Sequence, residues 1–373
     1  MRKIILLIIL LLAVFLLSAE VKNPDKPLKG EWDLKPLKVW ELTHANGKVF
    51  ATPDFVVSED GTLYVNDFKN QASFIFDSEG RFKRAFAKKG EGPGEVRMHL
   101  ASFLADDKLA AIDIGRLHYF SREGEYIRSV VVNTMGHFPR FFIAEDEYIF
   151  TTGNTYAIGA RSWPDKGTIT HFLLKTGEKK TIAEYSYKDK PTPIPGGQPM
   201  RLDALHSRMI LGYDCKNRKI YYGMNDAYVI RVANLNGSVV NTFSLDRAKQ
   251  KIEKEKIAEL FELMRINVPI KEHVHRFPGE LMHFCRILID EGLVYVLAVN
   301  LGPYSDSQAM DIFSLDGKYL YRALFKPGSG SRIYFPTVIN NIEIKKGYLY
   351  AVLEDSDGEI SIVKYKISLP MKK

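Results

Sequence analysis

Cysteine is almost absent from this chain. Cys215 and Cys285 are the only two among 373 residues, so no disulfide framework holds the fold and its stability must come from a buried core. Their spacing leaves open one bridge or two buried free thiols. No cysteine follows the apolar stretch at the N-terminus, which removes an acceptor for a lipid anchor there. Charge of one sign is also scarce: 52 Lys and Arg stand against 45 Asp and Glu, for a formal charge of +7. The excess is spread along the chain, and without a basic cluster there is no nucleic-acid-binding face. A Gly-x-Ser-x-Gly elbow is missing, as is a cysteine with a histidine partner, so nothing supports nucleophilic catalysis. Gly90-Glu91-Gly92-Pro93-Gly94 is glycine-rich, but Val96-Arg97-Met98 and a strand follow it, where a phosphate cradle needs the start of a helix. It reads as a tight turn.

Apolar and aromatic residues are plentiful. At 46% hydrophobic, with 22 Phe and 19 Tyr set among Val and Ile, the chain can bury a large core, is not disordered, and favours strands. The first 19 residues stand apart: Arg2-Lys3 precedes Ile4 to Leu17, 14 uncharged apolar residues. That suits a secretory signal and is short for a membrane span. Ser18-Ala19 offers a small residue for cleavage, while Leu17 departs from a small-x-small pattern. Residues 1–19 are therefore a signal peptide or signal anchor, and the chain is exported to the periplasm, the cell surface or beyond. Membrane contact would come only through that segment, left uncleaved. Residues 20–36, rich in Lys, Pro and Asp, read as a linker.

The stretch from Pro53 to Glu95 organises the rest. Phe55–Val57, Leu63–Val65, Ser73–Phe76 and Phe82–Phe86 are short apolar runs, separated by Ser58-Glu59-Asp60-Gly61, by a polar segment and by Asp77-Ser78-Glu79-Gly80. Four strands in about 40 residues is the size of one propeller blade, which cannot bury both faces alone and so predicts copies of itself. A second blade runs from His99, a third from Pro139, a fourth through Met209–Leu245, a fifth through Cys285–Phe325 and a sixth through Asn341–Ile367. The sixth stops one strand short, and Leu37–Thr43 is the orphan strand that would complete it and remove the open edge. The fold class is all-β, a six-bladed propeller over residues 37–369 with a tail at 370–373. From Asp246 to Arg265 apolar residues recur at helical spacing, with Asp246 as N-cap, which predicts one inserted helix between blades four and five. That helix, the Pro191–Pro199 link and the long loops at Gly153–Gly167 and Asn300–Gln308 should crowd one rim of the channel. Insertions gathered on one face mark a binding face.

Lys89-Gly90-Glu91-Gly92-Pro93-Gly94-Glu95, leading into a blade start, and second strands ending in Asn66-Asp67 or Ile112-Asp113 resemble the exported six-bladed propellers related to NHL repeats, a TolB-like or NHL-like group. The resemblance implies the fold over about residues 37–367 and leaves the activity open. Related propellers include lyases and lactonases with a channel metal.

His99, His206 and His283 lie at or just before the first strands of blades two, four and five, and His137 just before blade three. Such equivalent positions at a channel mouth would let imidazoles far apart in sequence hold one zinc or calcium ion; the plainer reading is rim residues bonded to backbone or water. His273 and His275, past the helix, could join them. Arg97, Arg140, Arg208 and Arg286 also fall at blade starts, where guanidinium forks would favour carboxylate or phosphate ligands, unless they pair with Asp67, Asp113 or Asp226. Trp163, in the third-blade loop, is a contact for sugar or protein. The leading expectation is an exported, non-enzymatic binding propeller for a protein or small anionic ligand. The alternative is a metal-dependent lyase or hydrolase of the lactonase or amidating-lyase kind.

Overall fold

The computed structural model describes residues 20–132, 139–153, 164–193, 204–263, 274–299, 304–328, 330–334 and 342–369, with backbone alone at 260–263 and 304–305. Blade one is an antiparallel sheet of Pro53–Val57, Leu63–Asp67, Ala72–Phe76 and Phe82–Phe86. Blades two to five repeat the plan, beginning at Ala101–Ala105, Pro139–Ala144, Met209–Asp214 and Phe284–Asp290. Burial follows position in the blade. Leu63–Asp67 is buried at every residue, whereas the outer Phe82–Phe86 is largely exposed. A second strand is covered by neighbouring blades on both faces, so it reads as an unbroken apolar run.

The blades meet through shared cores. Leu63, Val65, Phe74 and Phe76 of blade one pack with Tyr350, Val352, Ile360 and Ile362 of blade six, and Tyr64, Ile75 and Phe86 pack with Leu109, Ala111 and Phe120 of blade two. The junctions two–three, three–four, four–five and five–six each have their own cluster. Glycine at the turn between third and fourth strands is imposed by this contact. Gly124 and Gly317 hold φ of +84° and +88°, and an added Cβ would come within 2.8 Å of Ile75 and 2.6 Å of Phe243, each on the preceding blade.

Closure follows the sequence expectation. Leu37–Leu42 pairs antiparallel with Ile360–Lys366 as the outer strand of blade six. That sheet is more elaborate than the others: Ile342–Lys345 pairs with the first half of Tyr348–Asp355, and Ser331–Tyr334 with its end.

Residues 20–36 are not a free tether. Glu20–Pro24 lies parallel to Val239–Asp246 as a fifth strand on blade four, and Glu31–Trp32 lies parallel to Tyr319–Phe325 on blade five. Buried Asn23 fastens the two blades, donating to Ser244 O at 3.0 Å and Gly317 O at 2.9 Å and accepting from Tyr319 N at 2.9 Å. Leu34 is buried in the core between blades five and six, and Trp32 Nε1 donates to Ser368 O at 2.8 Å. Edge pairing uses backbone groups, so a polar composition does not prevent it.

The helix is shorter than its periodicity suggests. We label it α1, Lys254–Leu263; the expected end at Arg265 lies outside the described residues. Asp246 is not its cap but the last residue of the outer strand of blade four, paired with Pro24. Between them the backbone is held extended, Ile252 N donating to Gly279 O at 2.9 Å and Leu281 N to Gln250 O at 2.8 Å. The helical bonding starts at the Glu253 carbonyl, which accepts from Lys256 N at 3.1 Å and Ile257 N at 3.4 Å. Among the described residues no helix is long and apolar enough to cross a membrane, and both cysteines are free thiols.

Candidate functional site

The loop-bearing face is built on one repeated device. Asp67, ending the second strand of blade one, accepts from Ala51 N at 2.9 Å and Thr52 N at 3.0 Å. Asp113 does the same for Arg97 N at 3.1 Å and Met98 N at 2.9 Å, and Asn225 Oδ1 accepts from Arg208 N at 2.7 Å. Each fastens the lead into its own blade's first strand, where the candidate arginines and histidines sit. Burial would raise the Asp113 carboxyl, but donation from Arg97, Met98 and Ile114, with His118 nearby, holds it below its ordinary value. These acidic side chains serve the backbone first.

The structure uses most of the sequence candidates locally. Arg97 is half-exposed; its Nη2 donates to Ile114 O at 3.0 Å and its Nε stands 3.9 Å from Asp113. Arg286 turns to blade six, 2.6 Å from Glu343 Oε2. Burial raises the Glu343 carboxyl, and Arg286 opposes that rise. Arg140 Nε donates to Thr151 Oγ1 at 3.1 Å. Arg140 and Arg208 act on a common group: burial and Tyr187 raise the Tyr185 phenol, and both guanidinium charges oppose that rise.

The described histidines sit in separate surroundings. His99 is fully buried, its Nδ1 2.5 Å from Ser73 Oγ and its Nε2 2.9 Å from Ser102 Oγ and 3.1 Å from Ala101 O. Burial pushes its pKa down to about 4, so it is a neutral internal bridge between blades one and two. His206 is buried, 3.1 Å from Thr192 Oγ1 and edge-on to Phe277. His283 is half-buried beside Tyr228; burial, then Lys249 and Arg247, lower its pKa. His275 lies in the short turn Val274–Arg276. Among the described residues no three His, Cys, Asp or Glu side chains stand where one ion could reach them all. His137, His273 and Trp163 lie outside the described residues.

The helix does roof this face. Ile257 packs with Ile252, Leu205, Val274, Phe277, Leu281 and Met282 into a small satellite core over the entry to blades four and five. The Gly90–Gly94 loop closes on itself, with Glu95 Oε2 accepting from Gly92 N at 2.9 Å. A Cβ on Gly90 would lie 2.0 Å from that carboxylate, so the loop has no room for phosphate.

The opposite face, made by the turns between first and second and between third and fourth strands, carries a cleft of about 560 Å³ where blade six meets blade one. Trp40, Ser78, Lys345, Tyr348, Tyr350 and Lys364 help to line it. Lys364 is only 5% exposed. Its Nζ lies 4.2 Å from the Tyr348 ring centroid, 5.5 Å from Tyr350 and 5.8 Å from Trp40, and donates to Ser78 O at 2.8 Å. The sequence signal was faint: Lys364 is one of two lysines in the strand Ile360–Lys366, and the other, Lys366, ends it.

With fold and sites in view, comparison with known proteins decides the family. A family described as 6-bladed beta-propeller matches residues 49–275. This chain belongs to that family. No curated protein matches the propeller. Among solved structures it is similar to a DUF4221-family protein from Bacteroides vulgatus, with 14% identity, a TM-score of 0.58, and coverage of 90% of this chain and 99% of that one. It is also similar to a "Putative exported protein" from Bacteroides fragilis, with 12% identity, a TM-score of 0.51, and coverage of 94% and 100%. At these identities the likeness concerns the fold alone.

Proposed function

We propose that this propeller is an exported binding module that takes a small anionic ligand on its loop-bearing face, between blades three and four. The reading is carried by Arg140 and Arg208, far apart in sequence, which stand at the starts of neighbouring blades and both act electrostatically on the buried Tyr185 phenol. Two guanidinium groups at adjoining blade starts suit a ligand with several acceptor oxygens, because each fork can bind two of them. Export rests on the basic and apolar pattern of residues 1–19. The lyase or hydrolase alternative gains no support from His99 and His206, whose rings are committed to separate partners.

The test is isothermal titration calorimetry with succinate and inorganic phosphate. At least one should bind, and the double variant Arg140→Gln/Arg208→Gln should bind it about tenfold more weakly with an unchanged circular dichroism spectrum. Failure of both probes at millimolar concentration, or unchanged affinity in the double variant, overturns the reading. Elemental analysis after reloading with zinc and calcium separates the alternative: stoichiometric metal, lost in a folded His99/His206/His283 variant, would restore it.

A further inference from the structure

We propose that the cleft between blades six and one is a second binding site, for a small organic monoanion: a carboxylate joined to a flat apolar body. Lys364 Nζ holds the carboxylate, and Trp40 and Tyr348 flank the body. The proposal is independent of the loop-bearing face, which lies across the molecule.

Lys364 is the reason. An ammonium taken out of water needs a counter-charge, and a buried one without it is costly. Three aromatic rings and one carbonyl surround this ammonium, and among the described residues no carboxylate lies within ion-pair distance of it. The Ser78 carbonyl is itself shared, since Trp40 Nε1 also donates to it at 3.1 Å. Burial lowers the Lys364 pKa, as expected for a cation without an anion.

The other charged side chains of the cleft have partners within the protein. Glu59 is paired with Lys345 and, at 3.1 Å, with Lys346. Asp60 accepts from Ser58 Oγ at 2.5 Å and Thr62 N at 3.0 Å, and Glu79 pairs with Arg81 at 2.9 Å. Among the described residues Lys364 is the one lining lysine without a carboxylate in ion-pair distance, and a single negative charge on a ligand answers it. An aromatic cage ordinarily receives a cationic ligand. Here a tethered cation already fills it, and the sign of the ligand it accepts is reversed. A volume of about 560 Å³ is in the range of small-molecule sites, which combine apolar walls with a few placed polar groups.

Calorimetry on the full chain tests this with benzoate, against benzyl alcohol, benzylamine and phenyl phosphate as matched probes. Benzoate should bind at millimolar concentration or below, with benzyl alcohol and benzylamine about tenfold weaker or worse. Lys364→Met should lose that binding and Lys364→Arg should keep most of it, while Arg140→Gln/Arg208→Gln leaves it unchanged. Four results would overturn the proposal: benzyl alcohol binding as well as benzoate, phenyl phosphate binding more tightly, full benzoate affinity in folded Lys364→Met, or no binding of any probe. The comparison of probes needs only the unaltered protein, so a variant that fails to fold does not remove the test.

Discussion

Single side chains in this propeller are set by which blade they face. Asp290 ends the first strand of blade five and accepts from Lys346 N at 2.8 Å, in the turn of blade six. It is 7% exposed, and burial pushes its carboxyl up to about 6 from an ordinary 3.8. A raised carboxyl favours folding while protonated, so its contribution is complete below pH 3.8 and is lost as pH rises through about 6. Asp290→Asn keeps an acceptor for Lys346 and removes the titration. Relative to the unaltered protein, the variant should gain on the order of 2 kcal/mol between pH 4 and pH 7. Urea unfolding at a series of pH values checks it, and a constant difference across that range would refute it. None of this was legible in the sequence, where Asp290 is one more turn acid. Arg286 shows the same limit: its position at a blade start was legible, but its partner Glu343 sits on the next blade.

Among the elements, the N-terminal belt departs furthest from its sequence reading. Residues 20–36 are polar, and polar segments with Pro and Lys ordinarily stay loose. This one steps along the outer edges of blades four and five and leads into the outer strand of blade six. A charged clasp holds it at blade four: Arg247 Nε lies 2.7 Å from Asp25 Oδ1, and the same guanidinium grips Asp311, which also accepts from Tyr228 and Tyr319. Removing residues 20–34 should leave a folded ring with its melting temperature lowered by about 5–10 °C. The edges of blades four and five would be bared, and the truncated protein should self-associate. Differential scanning calorimetry and light scattering read both effects. A monomer with an unchanged midpoint would mean that the belt contributes nothing.

At the scale of the whole molecule, stability depends on a ring without a break. Each junction has its own apolar cluster, so opening any one bares two faces at once. The sixth blade is the vulnerable one, because its outer strand, Leu37–Leu42, comes from the other end of the chain. Truncation through Leu42 bares the Ile360–Lys366 edge next to the core shared with blade one. It should abolish cooperative unfolding, whereas truncation at residue 34 should not. If both truncated proteins melt as single cooperative units at the same temperature, closure by this strand is not what holds the ring.

The sequence by itself determined the architecture, because a blade is a local object. Its four apolar runs and its Asp-Gly, Asn-Gly and Glu-Gly turns lie within about 40 residues, and repetition of a unit that cannot bury both faces implies a ring. It also determined the closure, since an unpaired strand at one end and a missing strand at the other have one economical solution. Tertiary structure alone decided what the polar residues do. His99 became an internal bridge, Arg286 met Glu343, and Arg140 and Arg208 came to act on one phenol only when neighbouring blades came into contact. Lys364 became a buried cation, with no carboxylate in ion-pair distance among the described residues, because Trp40, from the N-terminal strand, and Ser78, from blade one, close over it. Burial and partnership belong to pairs of blades, and no pattern within one blade encodes them.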